Sequence, residues 1–294
     1  MQDLIESLTA LAPNEGVNKT PLPGVYVFKA SQSSGKIPLC YSQGVIWVAQ
    51  GQKRVYFNEN VYEYNPDNYL ALAVPVPAKC DTIVEPGKPL LSLMIDFDMN
   101  LLNELVRIFT DHGCSQATGV DNTSEKNKGL FVSQCTDNLR CTIVRLAKCL
   151  QDDMQSSVLG KSLIREVFYH ILKGPNAAPL FSLVSHNTHL SKMEKVLKHL
   201  HTHYSGRLDV EQLATMANMS ASTFHRNFKQ ITASSPIQYV KKLRLSRARE
   251  LLVDQGLKVK QAAAQVGYDS PTQFSREFTR YFGQSPSECN RQLA

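Results

Sequence analysis

The stretch SASTFHRNF at residues 220–228 returns as SPTQFSREF at residues 270–278, and this repeat decides the fold of the C-terminal third. Ser, Phe, Arg and Phe recur at an offset of 50, and the Ser-Pro pair at 235–236 recurs at 285–286 with the same offset. Two Phe spaced i and i+4 lie on one face of a helix and form an apolar stripe there. The repeat therefore predicts two copies of one helical unit.

Each copy also carries the signals of a tight turn that leads into a second helix. Asn218 and Gly267 are the residue types that best tolerate the left-handed conformation that ends a helix. Ser220 and Ser270 follow them as N-caps, so the second turn is one residue longer than the first. Gln273 adds a predicted capping box to the second copy. Each copy is therefore predicted to form a helix-turn-helix.

The face of the second helix opposite the two Phe is left to solvent. Polar and basic side chains near a helix N-terminus suit the reading of base edges in the major groove. The alternative is an ordinary solvated face, but two copies in one basic segment favour base reading. The candidate base-reading residues are Ser222, His225 and Arg226 in the first unit and Thr272, Gln273 and Arg276 in the second.

The stretch 237–254 between the two units has an apolar and a basic side and predicts one long helix. Successive major-groove faces repeat at roughly 34–36 Å, so a rigid spacer would place both units on one side of a duplex. Basic residues here would contact phosphates, which positions a domain without reading sequence. The candidate phosphate contacts are Lys229, Lys241, Lys242, Arg244 and Arg280.

The charge of the chain is unevenly divided and supports this interpretation. Residues 181–294 hold 16 Lys and Arg against 8 Asp and Glu, whereas residues 1–180 hold 16 against 18. The asymmetry indicates a polyanionic partner for the C-terminal third alone. A basic domain without such a partner is the alternative that charge leaves open.

The N-terminal part is predicted to be a β structure followed by a helical hairpin. Residues 24–97 hold five short runs of β-branched and aromatic residues between turn signals, typical of a sandwich or small barrel. Apolar residues then recur at helical spacing at 139–154 and 159–172, which indicates two helices packed on the β part or on a partner subunit. The polar stretch 111–128 is a predicted loop. We therefore expect an α+β protein with a domain at 1–175, a linker at 176–188 and an all-α domain at 189–294.

At the repeat, the chain closely resembles the AraC/XylS family of bacterial transcription regulators. The resemblance covers residues 189–294 and implies two helix-turn-helix units on a linker helix, binding asymmetric promoter sites, with activation as the commoner behaviour. Asn218, Ala233 and Ala262 depart from the family pattern, and Ala262 suggests a looser second unit. The motifs that carry the resemblance are Phe224-x-Arg226-x-Phe228, Pro236-x-x-Tyr239, Arg244-Leu245-x-x-Ala248, Gly267-Tyr268 and Phe282-Gly283-x-Ser285-Pro286.

The N-terminal part is similar to the cupin-like domain of one subgroup of these regulators, through Gly51-x-Lys53-Arg54-Val55, Tyr62-x-Tyr64 and Pro89-Leu90-Leu91. This similarity implies effector sensing or dimerisation. An effector pocket would be mostly apolar, and the alternative is that its aromatic residues are simply core. The candidate pocket residues are Tyr26, Phe28, Tyr41, Trp47 and Tyr56.

Other function classes are disfavoured by what the sequence lacks. Cupin metal sites rely on His and carboxylate ligands, yet all eight His lie at position 112 or later. His199-x-His201-x-His203 has a spacing that a metal can use, but a solvated helix end is the favoured explanation. Seven Cys without a C-x-x-C pair favour buried reduced thiols. We expect no metal, no cofactor and no enzymatic activity, although an enzyme fused to a DNA-binding domain is the third alternative.

The sequence thus predicts a DNA-binding transcription regulator. No apolar run approaches the roughly 20 residues of a membrane span, and the N-terminus lacks signal-peptide features, so we expect a cytoplasmic protein without a membrane partner. The expected partners are double-stranded promoter DNA, RNA polymerase, a small-molecule effector and a second copy bound through the N-terminal helices. The alternative for the N-terminal domain is dimerisation or protein contact without any ligand.

Overall fold

The computed structural model describes residues 2–114, 129–185, 188–253 and 255–291. By their contacts, the residues divide into two compact units, and each is described by itself. The first unit comprises Met1–Lys36, Ser42–Val74 and Cys80–Ser191, and the second comprises Ile37–Tyr41, Pro75–Lys79 and Lys192–Ala294. The predicted α+β architecture, with a β-rich N-terminal part and a helical C-terminal part, is confirmed.

The β part is built from two sheets. Six strands form a sheet in the order β1-β2-β9-β4-β7-β10, and four form a sheet in the order β3-β8-β5-β6. The five predicted runs are five of these strands, whereas β1 and β10 lie outside the predicted β region 24–97. The strands are β1 (Gly16–Lys19), β2 (Val25–Ala30), β3 (Ser34–Tyr41), β4 (Gly44–Gln50), β5 (Gln52–Phe57), β6 (Asn60–Tyr64), β7 (Asn68–Leu72), β8 (Val76–Ile83), β9 (Leu90–Asp96) and β10 (Leu130–Gln134).

Strand alternation defines the interior between the two sheets. On β5, the side chains of Lys53, Val55 and Phe57 are buried, and those between them are only half-buried. The Nζ atom of Lys53 lies 4.2 Å from the centre of the Phe28 ring on β2, which belongs to the other sheet. The buried face of β5 therefore looks toward Phe28, and Phe28 stands directly opposite Ser92 of β9.

The helices of the first unit, among its described residues, are α1 (Gln2–Leu11), α2 (Met99–Asp111), α3 (Asp137–Cys149), α4 (Asp153–Leu172) and α5 (Ala178–Val184). The predicted helical hairpin is α3 and α4, which pack on each other. The hydroxyl of Thr136 accepts a hydrogen bond from the first turn of α3, and the carboxylate of Asp152 accepts one from that of α4. Met154 was assigned to the apolar side of the first helix, but it lies in α4 and is exposed.

The segment predicted as a linker is largely the helix α5. Leu180 and Phe181 are buried, and the Phe181 ring meets the edge of Phe109 from α2 at 6.1 Å between ring centres. These apolar contacts hold α5 on the first unit, which the Pro and Gly signals before it did not reveal. Residues 186–187 of the predicted linker and 115–128 of the predicted loop lie outside the described residues.

The second unit contains the repeat. Its helices are α6 (His189–His203), α7 (Val210–Met216), α8 (Ala221–Thr232), α9 (Pro236–Val253), α10 (Val259–Gln265), α11 (Pro271–Phe282) and α12 (Pro286–Arg291). The two predicted helix-turn-helix units are α7–α8 and α10–α11, and α9 between them is the predicted single long helix. In the parts of the chain that are described, no helix is both long and apolar enough to cross a membrane.

The two halves of α9 pack against different helix-turn-helix units. Tyr239, near its start, packs edge-on against Phe228 of α8 at 5.4 Å between ring centres. Leu245 and Leu252, further along, join Phe274 of α11 in a separate buried cluster. Ala262, which suggested a looser second helix-turn-helix, is fully buried in that cluster. One continuous helix therefore supplies part of both cores.

Candidate nucleic-acid interface

The first helix-turn-helix presents α8 with one buried and one exposed face. Asn218 adopts the left-handed conformation at φ 51°, and the backbone amide of Met219 closes the turn onto the carbonyl of Ala214 at 3.0 Å. The hydroxyl of Ser220 then accepts a hydrogen bond from the backbone of Thr223, as expected of an N-cap. Phe224 and Phe228 are fully buried. On the opposite side, the three candidate base-reading residues Ser222, His225 and Arg226 are exposed.

The second helix-turn-helix repeats this construction with a longer turn. Gly267 is left-handed at φ 84°, and a Cβ atom there would stand 2.2 Å from the carbonyl oxygen of Ser205, so only glycine fits. The hydroxyl of Ser270 caps α11. The candidate base-reading residues Thr272, Gln273 and Arg276 are exposed on α11. Both candidate reading faces are therefore open to solvent at the N-terminal part of their helix.

Glu277 gathers three hydrogen bonds on the inner side of the α11 reading face, and the sequence did not single it out. Its carboxylate accepts from Lys241 Nζ at 2.8 Å, from the Tyr268 hydroxyl at 2.8 Å and from Gln273 Nε2 at 3.4 Å. The predicted return of the Gln273 side chain to Ser270 in a capping box is replaced by this contact. Burial acts to raise the pKa of Glu277, but the three hydrogen bonds outweigh it and hold the pKa below its ordinary value. Glu277 is therefore an anion at neutral pH.

The candidate phosphate contacts fall into two groups. Lys229 on α8 and Arg280 on α11 are exposed. The three candidates on α9 are instead engaged inside the protein. Lys241 forms the ion pair with Glu277, Lys242 Nζ donates to the Ser234 hydroxyl at 2.8 Å, and Arg244 bonds backbone carbonyls. These α9 side chains are therefore half-buried and bonded within the second unit, not displayed to solvent as predicted.

Arg244 has a structural role that the sequence did not predict. Its guanidinium donates to the carbonyl oxygens of Tyr204 at 2.7 Å, Gly206 at 2.6 Å and Gly267 at 3.1 Å. These bonds tie the turn of the second helix-turn-helix to the end of α6. The available signal was its position between Leu243 and Leu245, both buried, where a solvated cation would not be expected.

The five aromatic residues predicted to line a pocket are not brought together, because strand alternation distributes them over different faces. Tyr26 and Phe28 share the interior face of β2. Trp47 is opposite Leu93 on the other face of the large sheet and packs on Tyr69 at 4.8 Å between ring centres. Tyr56 points away from the interior, and its hydroxyl donates to Asp81 at 2.8 Å. Tyr41 is buried, and its contacts group it with the second unit.

The described histidines and cysteines do not gather into one cluster. His199 and His203 stack on α6 at 4.4 Å between ring centres, and His201 Nε2 lies 2.8 Å from the Tyr239 hydroxyl. Among the described residues, no group of three or more His, Cys, Asp or Glu is arranged to hold a metal ion. The cysteines are free, four of them buried as expected, whereas Cys114 and Cys141 are exposed.

Family comparisons cover both parts of the chain. The family described as "AraC-type transcriptional regulator N-terminus" matches residues 21–179, which is more than half of the chain. The family described as "Helix-turn-helix domain" matches residues 213–292. The second match spans the two repeated units and α9 between them.

Individual relatives are regulators of which this chain matches only a part. It is 25% identical over 160 residues to the lactose operon transcription activator of Staphylococcus xylosus, covering 54% of this chain and 57% of that protein. It is 35% identical over 145 residues to the HTH-type transcriptional activator Btr of Bacillus subtilis, covering 48% of this chain and 25% of Btr. The matched segment thus spans less than two thirds of either relative. The crystal structure of ToxT from Vibrio cholerae is similar in fold, with a TM-score of 0.61 at 16% identity, covering 92% of this chain and 97% of ToxT.

Proposed function

Since this chain belongs to the AraC/XylS family of transcriptional regulators, we propose that it activates transcription by reading two successive major-groove segments of promoter DNA through α8 and α11. The family places a helix-turn-helix DNA-binding domain after an N-terminal regulatory domain, and both are present here. We further propose that the N-terminal domain senses a small-molecule effector. The regulator would act in the cytoplasm, with RNA polymerase as its partner at the promoter.

The observation that carries the proposal is the pair of exposed reading faces held by one unbroken helix. The 18 residues of α9 make a rod about 27 Å long at 1.5 Å per residue. This length is of the same order as the roughly 34 Å between successive major-groove faces on one side of a duplex. Because each half of α9 is packed into the core of a different unit, the two faces are held at a fixed spacing.

The reading faces differ in the bases they suit. Arg226 on α8 and Arg276 on α11 each offer the paired donors that guanine accepts in the major groove. Gln273 offers a donor and an acceptor, which suits adenine. The two faces therefore have different base preferences, and one subunit would bind DNA in a defined direction. Lys229 and Arg280, exposed on the same helices, would contact the neighbouring phosphates.

Selection of binding sites from random duplex DNA by the full-length protein tests this proposal. Arg226→Ala and Arg276→Ala should each weaken binding to the selected site by about 1–3 kcal/mol, or roughly 5- to 150-fold. Each should also relax the base preference at a different position of that site. Arg107→Ala is the matched control, because Arg107 is an exposed arginine on α2 in the first unit. If both variants bound the selected site as tightly as the control, the assignment of α8 and α11 would be wrong.

Activation is supported by the names of two relatives, each described as a transcription activator. A promoter fusion that contains the selected site should gain expression when the full-length protein is present. Arg276→Ala should remove that gain. Reduced expression from the same fusion would instead make the protein a repressor.

Dimerisation through the N-terminal helices is the alternative role of the first unit, and α4 offers a surface for it. Val158 and Leu159 follow Met154 on α4 by four and five residues, and Met154, Val158 and Leu159 are 74%, 69% and 48% exposed. Three neighbouring apolar side chains left in water would be covered by a second copy. Val158→Lys should shift the full-length protein toward the monomer in sedimentation, whereas Val61→Lys, at a valine on β6 that is 55% exposed, should not. Unchanged sedimentation of the Val158 variant would exclude this surface.

A further inference from the structure

The interior of the β domain holds a lysine that nothing in its surroundings neutralises. Lys53 is only 5% exposed, and its ammonium group faces the ring of Phe28 at 4.2 Å. Within the described residues, no carboxylate forms an ion pair with it, and the one other titratable group that acts on it is Cys80. The acidic residues near this strand, Glu63 and Asp81, are bound to Arg54 and Tyr56 on the other face of β5.

A second polar group on the same interior face also lacks a partner. Ser92 is fully buried on β9, and its hydroxyl makes no hydrogen bond to any described residue. The backbone register places Ser92 directly opposite Phe28 on one neighbouring strand and Val48 on the other. Side chains opposite each other in an antiparallel sheet have their Cβ atoms about 5 Å apart, so Ser92 and Lys53 both border the Phe28 ring.

Two unsatisfied polar groups beside one aromatic ring are costly for a protein interior. A buried charge without a partner destabilises a fold by several kcal/mol, and a buried hydroxyl without a hydrogen bond adds to that cost. Burial accordingly lowers the pKa of Lys53 from its ordinary value. Groups of this kind are retained where a ligand completes them.

We propose that Lys53 and Ser92 form the head-group site for a monocarboxylate effector inside the β domain. The ammonium of Lys53 pairs with the carboxylate, the hydroxyl of Ser92 donates to it, and the apolar body of the ligand packs on Phe28 and Val48. One cation and one hydroxyl match a single negative charge, whereas a phosphate dianion would need further donors. This inference rests on the proposed effector-sensing role and names the class of effector.

The first test needs no ligand. Replacing a buried charge by an apolar side chain of similar length is often neutral or stabilising when the charge is not needed for the fold. Full-length Lys53→Met should therefore melt at the wild-type temperature or above it. Val55→Ala, two residues along the same buried face, is the control for damage to the core and should melt lower. A melting temperature of Lys53→Met as low as that of the control would make Lys53 a structural residue and overturn the proposal.

The second test uses sodium butyrate, hexanoate, octanoate, benzoate and phenylacetate as probes, with hexanol and benzyl alcohol as uncharged controls. A ligand that binds the native state raises its melting temperature. At least one acid should raise that of the wild type, and the alcohols should not. Lys53→Met should weaken binding of that acid about tenfold or more, and Ser92→Ala should weaken its binding by a smaller factor. No response of the wild type to any of the acids, or an equal response of Lys53→Met, would overturn the proposal.

DNA binding separates this inference from the function on which it rests. Lys53→Met should bind its selected DNA site as the wild type does in the absence of any acid. If the wild type selects no DNA sequence, the proposed function fails irrespective of the acids. If it selects a sequence but neither binding nor reporter output changes with an acid that raises its melting temperature, the site is no effector site.

A separate observation in the second unit supports a second inference, about base selection by α11. The Gln273 amide donates one N–H to Glu277, which is itself fixed by Lys241 and Tyr268. The second N–H and the carbonyl oxygen of that amide remain for DNA. This is the donor and acceptor pair that adenine matches with its N7 and N6 groups. We infer that Glu277 is a positioning residue that sets the orientation of Gln273 and so makes α11 select adenine at one position.

Site selection with four variants of the full-length protein tests the role of Glu277. Glu277→Met alone also frees Lys241, so the comparison uses Glu277→Met with Lys241→Met against Lys241→Met alone. The double variant should lose the adenine preference at one position to the same extent as Gln273→Ala, a change of roughly 5- to 150-fold in discrimination. Adding Glu277→Met to Gln273→Ala should change nothing more there. Retained adenine preference in the double variant would overturn the inference, whereas loss of all sequence preference in the wild type would refute base reading itself.

Discussion

Two helix ends in the second unit share a left-handed conformation but carry different residues. Ala233 and Gly283 end α8 and α11 in the same way, with φ 58° and 76°, and each backbone amide bonds the carbonyl four residues earlier. Alanine in this conformation costs about 1–2 kcal/mol, and glycine loses roughly 0.5–1 kcal/mol more entropy on folding. Ala233→Gly should therefore stabilise its unit by about 1 kcal/mol, and Gly283→Ala should destabilise by about the same amount.

Gly267→Ala should be far more damaging, because conformation is only part of its cost. A Cβ atom at Gly283 has open space around it, whereas at Gly267 it would lie 2.2 Å from the Ser205 carbonyl oxygen. A backbone atom cannot move aside as a flexible side chain does. We expect a loss of about 2–4 kcal/mol, since overpacking adds roughly 1–3 kcal/mol to the conformational cost.

The assay must report on the second unit alone. The single tryptophan, Trp47, lies in the first unit, so its fluorescence is uninformative here. Hydrogen exchange of α8 and α11 amides in the full-length protein measures local stability, and 1 kcal/mol changes the exchange rate about fivefold. Slower exchange in Ala233→Gly with faster exchange in Gly283→Ala is the expected pattern. Equal effects of Gly283→Ala and Gly267→Ala would refute the argument from the Ser205 contact.

Three further predictions concern the second unit. Arg244→Met should lower the protection of the α10–α11 turn by about 2–4 kcal/mol in hydrogen exchange, because three carbonyls lose charged hydrogen bonds; unchanged protection would remove its structural role. Burial lowers the pKa of His201 to about 4, so the unfolded chain binds a proton near pH 6.5 that the folded state does not. Stability should fall from about pH 6.5 toward 4, by up to about 3 kcal/mol, and His201→Gln should abolish this dependence. In titrations of DNA affinity against salt, Arg280→Ala should reduce the slope by about 0.9, whereas Lys241→Ala should leave it unchanged; the reverse result would restore Lys241 as a phosphate contact.

The sequence predicted those features that depend on neighbours along the chain. The Phe pairs, the left-handed Asn218 and Gly267 and the serine caps are local, and they sufficed to place α8 and α11. Their reading faces followed from helical periodicity alone.

Features that depend on contacts across the fold were not predicted. The ion pair of Lys241 with Glu277 joins residues 36 positions apart, and Arg244 bonds carbonyls of a different helix end. The five aromatic pocket candidates do not come together, for a related reason. Alternation puts Lys53 and Tyr56 on opposite faces of β5, but only the packing of the two sheets shows that Lys53 meets Phe28.

Because α9 is one continuous helix, any change in its length alters both the distance between α8 and α11 and their relative orientation. Each residue inserted into this helix would rotate one unit by 100° about the axis and advance it by 1.5 Å. A single insertion would therefore turn one reading face away from the duplex. Seven residues would restore the orientation to within about 20° and lengthen the spacer by about 10 Å, close to three base pairs. If α8 and α11 bind successive major-groove segments as proposed, an insertion into α9 must therefore match both the helical turn and the groove repeat to keep both faces on the duplex.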